Sequence, residues 1–122
     1  MEIGETLLCT TRAEWRAWLE EHHGDKREIW LITYKKGSGK QSVDYDAAVD
    51  EAVCFGWIDG IIKGVNEEYY AARWSPRRKR SNWTEANRER ARRMTVLGLM
   101  TPAGLEALPA DLRAELTQDV SV

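Results

Sequence analysis

The stretch WIDGIIKGVNEEYYAARWS, residues 57 to 75, decides the fold. Its two halves are rich in β-branched and aromatic residues, and the polar turn NEE at 66–68 separates them. This is the pattern of two strands joined in a β-hairpin. Pro76 follows at once, and because proline has no backbone N–H to give to a neighbouring strand, it predicts the end of the second strand.

Two upstream segments extend the hairpin into a sheet. Residues 27–36, REIWLITYKK, have the composition of a buried or half-buried strand. Residues 3–9 are short and fairly apolar, and they favour a first strand. We therefore predict an α+β fold with a small antiparallel sheet of about four strands, packed with helices.

The segments between the strands have the 3.6-residue period of helices. The first helix begins after Thr11, which forms a capping-box pattern with Glu14, and ends at Gly24. The second lies within VDYDAAVDEAVCFGW, residues 43–57. Its period predicts one apolar face, lined by Tyr45, Val49, Ala52, Val53 and Gly56, with Asp46, Asp50 and Glu51 pointing away from that face.

The C-terminal third is predicted to be helical throughout. A helix follows Thr84 and stops at Gly98, and a second begins after Thr101 with Pro102 in its first turn. A last short helix covers PADLRAELTQ, residues 109–118. The chain of 122 residues is long enough for a single core, so we predict one domain over residues 1–122.

The charge is unevenly distributed along the chain. The formal net charge is −2, but residues 73–93 carry nine cations and two anions, a net of +7, which leaves −9 on the rest. A basic patch on an acidic chain permits an anionic partner at one place. It argues against a nucleic-acid binder that is basic over its whole surface.

The sequence gives no sign of export or membrane insertion. The start, MEIGETLLCTTRAEW, lacks the basic and apolar regions of a signal peptide, and no run reaches the length of a membrane helix. Two isolated cysteines, Cys9 and Cys54, are typical of reduced thiols. We therefore expect a cytoplasmic protein.

Several residues that suggest chemistry have a structural interpretation that fits better. Cys54 lies near a helix C-terminus and close to two acidic residues, and both features oppose a thiolate. His22 and His23 are adjacent on a helix, where their side chains diverge by about 100° and cannot easily share a metal. GSGK at 37–40 lacks the first glycine and the Ser or Thr of a phosphate loop. We predict no catalytic residue, no cofactor and no metal site.

The strongest candidate site combines GWIDG, residues 56–60, with the loop SPRRKRSN, residues 75–82. Asp59 should share the strand face of Trp57, as a turn-organising residue or as a charge held toward a site. The loop has three open interpretations: a solvated structural loop, a site for a small anion, or a surface for nucleic acid. The predicted ligand-binding residues are Trp57, Asp59, Arg77, Ser81, Asn82, Trp83 and Asn87.

Four segments in order resemble the YdeI/OmpD-associated family, also called bacteriocin-protection proteins. They are TRAEWRAWLEEHH, IWLITYKKGSGKQSVDYDAAVDEAVCFGWIDG, YYAARWSPRRKRSNWTEANRERARRM and GLMTPAGLEAL, and together they span nearly the whole chain. The most specific blocks are 54–60 and 76–87. Trp74 departs from the family pattern, which has Phe there.

The resemblance implies a small α+β bacterial protein linked to tolerance of membrane-active cationic peptides and to an outer-membrane porin. It supplies no reaction, cofactor or catalytic residue. We therefore predict a non-enzymatic stress-tolerance or binding protein that takes a small anionic ligand, with Arg77 and the helix amides holding the anion and Asn87 orienting it. The alternatives are an enzyme with Asp59 as general base, and nucleic-acid binding through residues 73–93.

Overall fold

The computed structural model describes residues 2–79 and 81–118. These residues form four strands and five helices: two helices alternate with the first three strands, and the other three helices follow the last strand. In chain order the elements are β1 (Thr6–Leu7), α1 (Arg12–His22), β2 (Ile29–Tyr34), α2 (Tyr45–Val53), β3 (Trp57–Gly64), β4 (Tyr69–Pro76), α3 (Glu85–Val96), α4 (Pro102–Glu106) and α5 (Ala110–Thr117).

The strands form one sheet in the order β1-β2-β4-β3, so the hairpin occupies one side of it. β4 pairs antiparallel with both β2 and β3, and Pro76 ends it as predicted. The predicted α+β class with four strands is confirmed. The sheet is not wholly antiparallel as predicted, because β1 pairs with β2 in parallel, which makes the sheet mixed.

One face of the sheet carries the core. The register aligns Ile29 with Trp74 and Leu31 with Ala72, and all four side chains are buried in the main apolar cluster. Trp15 of α1 joins this cluster, completely buried, and its indole meets that of Trp74 edge-on at 5.5 Å. Its N–H donates to the carbonyl of Ala48, so this large core side chain also links α1 to α2.

Helix starts are where the sequence predicted them. Thr11, Thr84 and Thr101 each accept a hydrogen bond from a backbone N–H three residues ahead. The reciprocal half of the first capping box differs in detail, because the carboxylate of Glu14 accepts from the amide of Thr10 and not from that of Thr11. The predicted stop at Gly98 is confirmed by its positive φ of 76° after α3.

The orientation predicted for α2 was wrong at three positions, although Val49, Ala52 and Val53 of the predicted apolar face are buried. Asp50 and Glu51 are buried, at 5% and 3% exposure, whereas Tyr45, predicted to lie on the apolar face, is 49% exposed. Arginines from both neighbouring helices surround the two carboxylates, so burial of the charges is compensated by ion pairs. α2 is consequently enclosed on nearly every side.

Helix α4 packs directly against the C-terminal end of α2. The carbonyl of Cys54 accepts hydrogen bonds from both the amide and the hydroxyl of Thr101. Gly104 lies against the same carbonyl so closely that a Cβ there would overlap it. The bend at Gly56, with φ of 74°, lets the chain leave this contact and enter β3.

Candidate functional site

A cleft of about 780 Å³ opens at the end of the hairpin where β3 begins and β4 ends. Trp57 pairs with Pro76 at this end, and the amide of Arg77 donates to the carbonyl of Gly56 at 2.8 Å. These contacts bring the two sequence blocks 56–60 and 75–82 together. The opposite wall consists of α4, the start of α5 and the turn between them.

The charged residues of the cleft are mostly cations. Arg77, Arg78, Lys79 and Arg113 line it, against the single carboxylate of Glu106. With its histidine neutral, the cleft lining has a net charge of +3, although the chain as a whole carries −2. A concave site of this charge concentrates anions.

Arg77 is the most constrained of these cations. Its guanidinium lies 3.8 Å from the ring centre of Trp83, and its Nη1 donates to the hydroxyl of Ser81 at 3.2 Å. Burial lowers the pKa of Arg77 to about 10, partly opposed by the charge of Asp59. Among residues 2–79 and 81–118, no carboxylate lies within ion-pairing distance of it, and its Nε has no hydrogen-bond partner.

Asp59 lies on the same strand face as Trp57, as expected, because Trp57 pairs with Pro76 and Asp59 with Trp74. It does not line the cleft. Its Oδ2 accepts a hydrogen bond from the phenol of Tyr45 at 2.7 Å. Burial and this carboxylate raise the pKa of Tyr45 to about 12, so the phenol keeps its proton and continues to donate.

The seven predicted site residues are only partly brought together. Trp57 and Arg77 line the cleft, while Ser81 and Trp83 hold the Arg77 side chain. Asn82 is exposed and Asn87 is half-buried, and neither lines this cleft. The backbone N–H of Asn87 donates to the hydroxyl of Thr84. One of the helix N–H groups that we expected to hold an anion is therefore already used. The ligand-binding role of all seven stays a prediction.

Most cations of the basic segment, residues 73–93, form ion pairs with the protein's own carboxylates. Five of its nine cations form ion pairs with acidic residues, most of them outside the segment: Arg73 with Glu28, Arg88 with Asp111, Arg90 with Asp50, Arg92 with Glu115 and Arg93 with Asp50. Arg80 lies outside the described residues. The charge excess seen in the sequence is therefore largely neutralised on helix α3.

Sequence reasoning missed the cluster around Asp50. This carboxylate accepts from Arg90 and Arg93 at 2.7 Å each and from Arg12 at 3.1 Å. Burial alone would raise the pKa of Asp50, but the three guanidinium groups together lower it. The signal in the sequence was two adjacent acids in an otherwise apolar helix, with arginines in both neighbouring helices.

Cys54 has the character of a packing residue. It is fully buried, and its thiol donates to the carbonyl of Asp50. Burial raises its pKa to about 11, with a smaller opposing effect from Arg16. Cys9 is also buried, and burial raises its pKa to about 11 as well. Neither thiol is prepared for nucleophilic chemistry at neutral pH.

Comparison with known families gives one match. Residues 7–107 match a family model described as a domain of unknown function, DUF8412. The chain belongs to this family. The DUF8412 match runs from Leu7, the last residue of β1, through α4, includes Trp57 and Arg77, and ends before α5. No curated protein and no solved structure matches the chain.

Within the described residues, no helix is both long and apolar enough to cross a membrane. The longest, α3, has 12 residues and carries four arginines and two glutamates. Its outer face is therefore polar.

Proposed function

We propose that this protein is a non-enzymatic binding protein that takes a small anionic ligand in the cleft between the end of the hairpin and helices α4 and α5. The observation that carries the proposal is the state of Arg77. Its charge is drawn out of water, its pKa is lowered to about 10, and no carboxylate among the described residues pairs with it.

The energetics of Arg77 favour an anion. A guanidinium that loses hydration without gaining an ion pair is held at a cost in free energy. The stacking on Trp83 and the bond to Ser81 offset part of that cost and fix the side chain beside the cleft. A bound carboxylate or phosphate would supply the missing charge-assisted hydrogen bonds.

The cellular role proposed for this binding follows the resemblance to the YdeI/OmpD-associated proteins. We propose a contribution to bacterial stress tolerance, including tolerance of cationic peptides, exerted from the cytoplasm. A binding protein for a small anion fits such a role because it acts indirectly, on a metabolite, and requires no contact with the peptide itself.

A thermal-shift titration tests the binding proposal. Inorganic phosphate, citrate and acetate are added to wild type, to Arg77→Ala and to Lys36→Ala. Lys36 is an exposed cation beyond the far end of β2, so its variant removes the same charge away from the cleft. A ligand that binds only the folded state raises the melting temperature.

The expected result is that at least one anion stabilises wild type and Lys36→Ala equally, and stabilises Arg77→Ala much less. Equal stabilisation of all three proteins would refute the role of Arg77. Arg77→Ala is measured first without ligand, and Arg77→Lys serves as a second variant in case alanine unfolds the loop.

The enzyme alternative has less support. A general base must reach a substrate proton, directly or through one water. Asp59 does not line the cleft, and one of its oxygens is held by Tyr45. Nucleic-acid binding also has less support, because five of the cations it would require already pair with carboxylates.

A further inference from the structure

The wall of the cleft opposite Arg77 has a different chemistry from the basic loop. It presents Ala103, Ala107, Leu108, Pro109 and Ala110 from α4, the turn and the start of α5. None of these residues was among those predicted from the sequence to bind a ligand. They bring an apolar surface face to face with a cluster of cations.

The floor of the cleft is also apolar. Phe55, Gly56 and Trp57 line it, and the indole N–H of Trp57 is directed away to the carbonyl of His23. Because that donor is already engaged, the ring of Trp57 meets the cleft only as a hydrophobic surface. The ring of Phe55 contacts that of His23, with 5.1 Å between the ring centres and an angle of 50° between the planes.

The cations line two sides of the cleft. Arg77, Arg78 and Lys79 follow β4 on one side, and Arg113 lies on α5 on the other. Arg113 donates from Nη2 to the carbonyl of Glu106, so it is tethered to the rim of the apolar wall. Cations on two sides of an apolar surface suit a ligand that has a charged end and an apolar body.

His23 adds a polar group to this arrangement. Its Nδ1 lies 2.8 Å from the carbonyl of Leu19, and because a carbonyl only accepts, Nδ1 must carry the proton. Nε2 is therefore the ring nitrogen left for a ligand. The charged residues that share the cleft with it are Arg77, Arg78 and Lys79 after β4, Glu106 on α4 and Arg113 on α5.

We infer that the cleft takes an amphipathic organic anion: one carboxylate or phosphate at the arginines, and an aliphatic or aryl body against Trp57 and the α4–α5 wall. This inference rests on the proposed function and narrows its ligand class. A volume of about 780 Å³ lies in the range of sites for drug-sized molecules and greatly exceeds the needs of a lone inorganic anion.

The experiment is a calorimetric titration with two homologous series at constant ionic strength. One series is acetate, butyrate, hexanoate and octanoate, and the other is methyl, butyl and hexyl phosphate. Each buried methylene is worth about 0.8 kcal/mol, so affinity should rise roughly fourfold per methylene while the chain stays inside the cleft. The series that binds more tightly at equal chain length identifies the head group.

Two variants separate the apolar wall from the charge. Ala110→Trp places a large ring at the exposed start of α5, and should reduce octanoate affinity at least tenfold while leaving that of acetate unchanged. Arg77→Ala should weaken every member of both series. Octanol, which keeps the chain and lacks the charge, should bind at least tenfold more weakly than octanoate.

The outcomes distinguish the two proposals. A flat affinity along both series, still lost in Arg77→Ala, would overturn the amphipathic ligand and leave the anion site intact. Octanol binding as tightly as octanoate would overturn the anion site itself. If neither series nor inorganic phosphate binds to wild type, both proposals fail.

Discussion

Replacing Asp50 by Asn tests the buried charge cluster that holds the three main helices together. The change keeps the size of the side chain and removes its charge. Asp50 is 5% exposed and accepts hydrogen bonds from arginines on α1 and α3. The variant leaves those guanidinium groups facing a neutral amide in a partly dry environment.

The magnitude follows from the exposure of the partners. Removing one member of a buried ion pair costs roughly 3–5 kcal/mol when the other is left buried. The side chains of Arg12 and Arg93 are 47% and 51% exposed and can regain water, whereas that of Arg90 is only 15% exposed. We therefore expect a loss of about 2–3 kcal/mol in the free energy of unfolding.

For a chain of this length, such a loss corresponds to a drop of about 10 °C in Tm. Scanning calorimetry or circular dichroism at pH 7 measures it. Asp111→Asn is the matched control, since it removes the same charge from an ion pair whose carboxylate is 71% exposed. That control should cost much less stability than Asp50→Asn, because water screens an exposed ion pair.

The pH dependence supplies a second readout. The arginines lower the pKa of Asp50 despite its burial, so the stabilisation is complete above the unfolded-state pKa of about 3.9 and disappears as pH falls through the lower folded value. The gap between wild type and Asp50→Asn should be constant from about pH 5 to 7 and close below about pH 4. Similar Tm values for Asp50→Asn and Asp111→Asn at pH 7 would refute the reasoning.

Three further predictions concern the contact between α4 and the end of α2, the two thiols, and the basic segment 73–93. Gly104→Ala should lower stability by more than about 2 kcal/mol in urea unfolding, because its Cβ overlaps a carbonyl that cannot move, whereas Gly64→Ala, with open space around it, should cost less than about 1 kcal/mol. Cys9 and Cys54 should react with a thiol reagent at pH 8 at least about a hundredfold more slowly in the native than in the urea-unfolded protein, since burial raises both pKa values to about 11; equal rates would contradict this. A 20-base single-stranded DNA should show no retardation at about 50 mM salt, because residues 73–93 are largely neutralised by internal pairs; a steeply salt-dependent complex would restore the nucleic-acid alternative.

The fold was largely predictable because its signals are local. The hairpin residues, the capping threonines and Gly98 each act within a few positions of themselves, and the structure has them where the sequence indicated. The parallel pairing of β1 was not predictable in this way, since two residues carry no directional signal. Its direction depends on the path of α1 between the strands.

The candidate site was predictable only on the side that the hairpin forms. Trp57 and Arg77 were found because strand ends that pair must meet. The apolar wall was missed because Leu108 and Ala110 resemble ordinary core residues of a short helix. The burial of Asp50 was missed because helical periodicity treats every carboxylate as solvent-facing, and the arginines that pair with it lie 38 to 43 positions away in sequence.

The backbone carbonyl of Cys54 connects the two sides of the cleft. It accepts two hydrogen bonds from Thr101 and lies against Gly104 of α4, and the next three residues, 55–57, form the floor of the cleft. The spacing between the two walls of the cleft therefore depends on the backbone carbonyl of Cys54, to which α4 is attached. A genetic screen for loss of function should find substitutions at Thr101 and Gly104 as well as at Arg77. Melting curves would separate the two groups, because the first group should lower the melting temperature of the protein.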